Sequence, residues 1–184
     1  MYRIVPNIFN LEQHLWTLQN DPEVYRPESC PHCLLAGEGL RRFGFYGRKP
    51  DRGPDGEGGL NPIPIPRFLC PRGKGCGHTC SRLPMCIAPR RWYRWAVQQV
   101  GLLLLIAGRS CRQMSSRLGM DRSTLGRWQS WLKQRGHEFW LALRVRCSEF
   151  GRAVDAESFW SDYLRQQRLS EAMAWLDHDA VDVP

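Results

Sequence analysis

Hydrophobic and polar positions alternate with two different periods along this chain, and the period changes near residue 90. Residues 2–5 are biased to apolar types and predict a short strand. Asn10 then stands where a helix carrying Leu11, Leu15, Trp16 and Leu18 needs its cap, and Pro22 and Pro27 end regular structure. Residues 42–48, with Phe43, Phe45 and Tyr46, suit a strand, and residues 50–59, dense in Gly, Pro and Asp, suit a solvent loop. The return strand alternates Ile63 and Ile65 with Pro62, Pro64 and Pro66 and then reaches Phe68. So many missing N–H donors confine it to an edge or a short ladder. Thr79–Leu83 is the expected final strand.

Beyond Arg90 the spacing is helical. Trp92, Trp95, Ala96, Gln99, Leu102, Leu103 and Ile106 predict one long helix over Arg90–Ala107, stopped by Gly108. The next stretch, Cys111 to Trp128, fits the twenty-position helix-turn-helix template. Met114, Leu118, Met120, Leu125 and Trp128 take the buried positions, Ser115 the helix crossing, and Gly119 a sharp turn that needs left-handed backbone. Ser110 can cap the first of these helices and Asp121 or Ser123 the second. Trp131, Phe139, Trp140, Leu143 and Phe150 continue helical spacing past Gly136. Phe159, Trp160, Tyr163 and Leu164 mark another helix, and Met173, Trp175 and Leu176 a last one, with these aromatics expected in a core. The expected fold class is mainly α with a small β ribbon (α+β). The expected domains are residues 1–88 for an amino-terminal lobe, 89–136 for a helix-turn-helix and 137–184 for a helical extension.

At 184 residues the chain can bury one ordinary core or two small ones that need help. Its net charge of +8 points to an anionic partner, and the distribution sharpens that. Residues 89–152 hold thirteen Lys/Arg against three Asp/Glu, whereas residues 153–184 are acidic. If the helix-turn-helix register holds, Arg122, Ser123, Thr124, Gly126, Arg127 and Ser130 lie on the outward or amino-terminal face of the recognition helix, with Gly126 allowing close approach. Arg112, Arg117, Lys133 and Arg135 are then candidates for phosphate contacts.

The eight cysteines separate into two kinds. Residues 1–10 contain no apolar signal-like run, and residues 100–107 are too few to span a bilayer, which predicts a reducing, cytoplasmic and nucleoid-associated location. There, clustered cysteines read as metal ligands, and the scattered Cys86, Cys111 and Cys147 as small buried apolar residues. In Cys30-Pro31-His32-Cys33 two thiolates three positions apart can turn to one ion. Cys70 follows the return strand, and Cys76, His78 and Cys80 all compete for the fourth place. Cys76 is preferred because Gly77 after it permits a tight backbone approach. Four thiolates predict one structural Zn²⁺ with no open position for chemistry.

The runs Pro27 to Cys33, Phe43 to Tyr46, Ile63 to Cys70 and Cys76 to Pro84, with Pro89 and Arg90, resemble a bacterial zinc-ribbon domain family of unknown function. They are also similar to the amino-terminal zinc-ribbon and helix-turn-helix part of insertion-sequence transposases. The resemblance covers about residues 27–130 and places Cys30, Cys33, Cys70 and Cys76 on the ligand positions. The chain departs from the family in its longer spacer, Pro71–Gly75. The resemblance implies a sequence-specific binder of double-stranded DNA from a mobile genetic element, recognising element ends or regulating a separately encoded transposase or recombinase. An ordinary transcriptional regulator and an adaptor that binds protein rather than DNA are the alternatives. A homodimer through the carboxy-terminal helices is a further expectation. No nucleotide-binding glycine loop or nucleophile–base pattern is present. Asp155, Glu157 and Asp162 lack the α/β domain a transposase catalytic centre needs, so no enzymatic activity is expected.

Overall fold

The computed structural model describes residues 3–49, 62–89, 93–150, 152–179 and 181. They fall into two compact units, the first ending at Arg94 and the second spanning Trp95–Val181. Among the described residues the fold is mainly α with a small β component. The expected loop at 50–59, and Arg90 and Trp92, lie outside the described residues.

In the first unit, β1 (Ile4–Val5) pairs in parallel with β5 (Leu83–Pro84). Asn10 caps α1 (Leu11–Asn20) as expected, its side chain accepting from the Gln13 amide at 2.8 Å. A three-stranded sheet runs β2 (Arg41–Arg48), β3 (Ile63–Leu69), β4 (Thr79–Cys80), all antiparallel. The predicted strand Thr79–Leu83 is therefore two short strands in two sheets, with Ser81 and Arg82 turning the chain between them. β2 carries a bulge between Arg42 and Phe45, where Gly44 has φ of 77°. The extra residue reverses the alternation of side chains, so Phe43 and Phe45 stand on opposite faces.

β3 is the middle strand, but its prolines are tolerated because β4 pairs only with Phe68 and Leu69, so Pro64 and Pro66 have a neighbouring strand on one side alone. Ile63 and Ile65 pack with Leu83 and Ile87, while Phe68 and Cys70 pack with Tyr25, Leu40, Cys30 and Cys80. The buried residue of α1 is His14, while Trp16 is largely exposed. His14 Nε2 reaches the Pro64 carbonyl at 2.9 Å and Nδ1 the Tyr25 hydroxyl at 2.6 Å. Both bonds are best satisfied by the neutral ring, with Nε2 donating and Nδ1 accepting.

Burial accordingly holds the His14 pKa below its ordinary value, against the smaller opposing pull of the Pro64 carbonyl. A lowered histidine pKa means that the unfolded chain takes up the proton first as pH falls. Stability from this site is thus whole above about pH 6.5 and is lost progressively below it, by at most ~1.4 kcal/mol per pH unit. Thermal melting of the wild type between pH 7 and 5 should fall more steeply than that of His14→Gln. Parallel curves would refute the assignment.

The second unit is helical: α2 (Trp95–Ile106), α3 (Cys111–Leu118), α4 (Arg122–Arg144), α5 (Ala156–Gln166) and α6 (Leu169–His178). α2 begins at Trp95, later than its sequence pattern predicts, and packs on α4, α5 and α6. Gln99 does more than fill a helical register. Its amide donates to the Leu164 and Gln167 carbonyls at 2.6 and 3.0 Å and accepts from the Leu169 amide at 2.8 Å. It thereby satisfies backbone groups at the end of α5 and the start of α6. α4 runs without interruption through Gly136, where the sequence pattern placed a domain boundary. The Gly136 carbonyl there accepts from Trp160 Nε1 at 2.9 Å, and the α5 indole lies against a position with no side chain. Phe159, Trp160, Tyr163 and Leu164 are buried as expected. Asp155 caps α5 through the Ser158 amide at 2.7 Å, a structural use for one of the late carboxylates. No helix among the described residues is long and apolar enough to cross a membrane.

Candidate metal centre and nucleic-acid interface

Two turns of the first unit bring four cysteines together. The first follows Cys30, whose amide donates to the Leu35 carbonyl at 2.7 Å while the Leu34 amide donates to the Cys30 carbonyl at 2.9 Å. The second follows Cys70, whose amide donates to the His78 carbonyl at 2.9 Å. In each turn the residue after the second cysteine has left-handed backbone, Leu34 with φ 62° and Gly77 with φ 79°. That conformation aims the next amide, of Leu35 or His78, at the sulfur of Cys33 or Cys76. The two halves share this left-handed step after the second cysteine, although only one uses glycine.

The long spacer does not displace Cys76. Residues 71–75 fold into a turn of their own, in which the Pro71 carbonyl accepts from the Lys74 and Gly75 amides at 3.1 and 2.7 Å. Gly75 closes this turn against the cluster, where a Cβ would stand 2.1 Å from Cys70 Sγ. Gly75 thus adds a close approach to Cys70 one residue before Cys76, beside the left-handed turn that Gly77 makes after it.

The four sulfurs of Cys30, Cys33, Cys70 and Cys76 lie within 4.8 Å of one another and can hold a metal ion. Cys30 and Cys76 are 3.6 Å apart, and Cys33 and Cys70 are 3.5 Å apart. Four thiolates at about 2.3 Å from a central ion stand about 3.8 Å from each other, so the cage has the dimensions of a tetrahedral thiolate site. The Leu35 amide holds the Cys33 thiol down at about 7, whereas burial pushes Cys70 up to about 12. The other two candidates for the fourth place are turned to different partners. Cys80 Sγ faces the Phe68 carbonyl at 3.6 Å, and His78 stacks on His32 with ring centres 4.5 Å apart. Of the scattered cysteines, Cys147 is buried and Cys86 and Cys111 are partly buried.

In the helical unit, Ser110 and Gln113 form a reciprocal cap at the start of α3, and Gly119 ends it with φ 63°. Asp121 caps α4 by accepting from the Ser123 amide at 2.7 Å, and hydrogen bonds from the Ser123 side chain and then its amide lower the Asp121 pKa. Ser115 donates to the Met120 carbonyl at 2.7 Å and so ties α3 to the turn. Met114, Met120, Leu125 and Trp128 are buried, and Leu118 is partly so.

Arg112, Arg117, Arg122, Ser123, Arg127, Ser130 and Lys133 are all exposed. Thr124 is not: it is 7% exposed, and its hydroxyl accepts from the Arg127 guanidinium at 3.0 Å. Its expected outward placement is corrected, since a residue two places after Arg122 on α4 faces α3 and the core. Gly126 has open space at its Cβ position. Arg135 is engaged by Glu138 at 2.9 Å and by the Phe139 ring. On α6, Leu169, Ala172, Met173 and Leu176 are buried within the unit, and the half-exposed Trp175 is covered by Arg146.

Comparison of the chain with protein-family models, with curated proteins and with solved structures finds no match in any of the three.

Proposed function

We propose that this chain is a zinc-stabilised, sequence-specific binder of duplex DNA. The observation that carries the reading is the arrangement of α3, Gly119 and α4. Four apolar side chains bury the crossing, while Arg122, Ser123 and Arg127 project from the first turns of α4. An exposed helix amino end of this composition suits major-groove recognition. An arginine there can bond two acceptors of guanine, and a serine can bond a base edge or a phosphate. Arg112, Arg117 and Lys133 on the flanking turns suit phosphate contacts, and Thr124 positions Arg127 rather than reading a base itself. A thiolate-only donor set favours zinc over harder ions, and a cage closed by four protein ligands suits a structural role. Recognition of mobile-element ends beside a separate recombinase is the biological setting we favour, on the sequence resemblance alone.

Selection from a random duplex pool at near-physiological salt, with zinc-loaded protein, tests the reading. One enriched motif is expected, and Arg127→Ala should weaken binding to it by about 1–3 kcal/mol. Gly126→Ala should weaken it as well, although nothing lies within 4 Å of the added methyl in the protein itself. Salt-sensitive binding without a motif, or a motif indifferent to Arg127→Ala, would overturn the proposal.

A further inference from the structure

One end of the β2–β3 hairpin presents two arginines, Arg41 and Arg67, around the half-exposed ring of Phe43. Arg41 pairs across the ladder with Leu69, and Arg67 lies two positions before Leu69, so the two arginines share a face. Phe43 belongs to the same face, because the Arg67 guanidinium lies over its ring at 5.5 Å. Further along the same face Tyr46 packs on the buried Ile63 and Ile65 and Arg48 donates to the Ala88 carbonyl, so the open part of the face ends there. Phe43 is 49% exposed although it stands in the middle of a strand.

β2 and β3 contain no Asp or Glu. Among the described residues, Arg41 and Arg67 have no carboxylate partner, and Arg67 Nε is buried without a hydrogen bond. By contrast Arg42, on the opposite face, is paired with Glu23. A half-exposed ring with a guanidinium over it and a second guanidinium on the same face offers a flat surface for a base and positive charge for its phosphates.

We infer that this face binds single-stranded DNA, with a base stacked on Phe43 and the adjoining phosphates on Arg41 and Arg67. A duplex could use the arginines but not the ring, because its base faces are covered by their neighbours. The site lies in the first unit and does not rest on the helical reading of duplex DNA.

The experiment is titration of a short labelled oligothymidylate with the full, zinc-loaded chain, measured by fluorescence anisotropy. Phe43→Leu keeps the apolar bulk and removes the ring, and it should weaken binding about 10- to 100-fold. Phe43→Trp should restore it, and Arg67→Gln should weaken it and flatten its salt dependence. Arg127→Ala should leave it unchanged, which separates this site from the duplex reader. Unaltered zinc content in each variant shows that the unit has folded. Absence of binding by the wild type at low salt, or equal affinity of folded Phe43→Leu, would overturn the inference. So would an acidic peptide whose binding falls on Phe43→Leu while oligothymidylate binding does not, since the face would then belong to a protein partner.

Discussion

Replacing Cys30 by serine should release the metal and unfold the amino-terminal unit. The side chain is fully buried, it is one of only four sulfurs in the cage, and it belongs to the cluster that includes Tyr25, Phe68 and Cys70. Zinc binding to four thiolates contributes about 10 to 16 kcal/mol of apparent folding free energy, more than a lobe of short strands and proline-rich segments can replace. Metal content by elemental analysis should drop from one equivalent to none, and a strong chelator should do the same to the wild type. The far-ultraviolet signal should fall only in part, since α2 to α6 have their own buried core. A Cys30→Ser protein that keeps one equivalent of tightly held zinc would refute the four-thiolate assignment.

The second large effect concerns glycine in a helix. Gly→Ala inside a helix ordinarily stabilises by about 1 kcal/mol. Gly101→Ala should do the reverse, because the new Cβ would stand 2.6 Å from Trp128 Cζ3 and 2.9 Å from its Cε3. Trp128 is buried against this point on α4 and cannot swing away without opening the α2–α4 contact. Overpacking of this kind costs about 1–3 kcal/mol, and the two ring contacts place Gly101→Ala at the upper end or beyond. Urea denaturation followed by helix signal reads the change directly. A midpoint at or above that of the wild type would show that the crossing is looser than described.

Much of this architecture was legible in the residues, and the reasons differ by element. Asn10, Ser110, Asp121 and Gly119 announce themselves because caps and left-handed turns depend on a local side chain and its own backbone. Cys30 and Cys33 were legible because short spacing restricts where two thiolates can point, whereas the long spacer after Cys70 left Cys76, His78 and Cys80 in competition. What was not legible depends on partners distant in sequence. The strand expected over Thr79–Leu83 divides because Leu83 pairs with Ile4, nearly eighty residues earlier. His14 gave no signal as a buried group, since its two partners, Tyr25 and Pro64, come from other elements. The use of Gly136 was equally hidden, because its carbonyl accepts from Trp160 Nε1, a partner on another helix. Thr124 looked outward in a template whose exact rotation only the packing of Leu125 and Trp128 fixes.

The unbroken course of α4 sets how its two ends relate. Its 23 residues make a rod about 34 Å long. The turns that carry Arg122 and Arg127 sit at one tip, and the turns gripped by α5 and α6 occupy the remainder. With no hinge between them, the tip cannot re-aim independently of the aromatic cluster that clamps the shaft. The surface that carries Arg122 and Arg127 is therefore presented at a fixed angle to the shaft, one solid piece with the packed aromatic cluster.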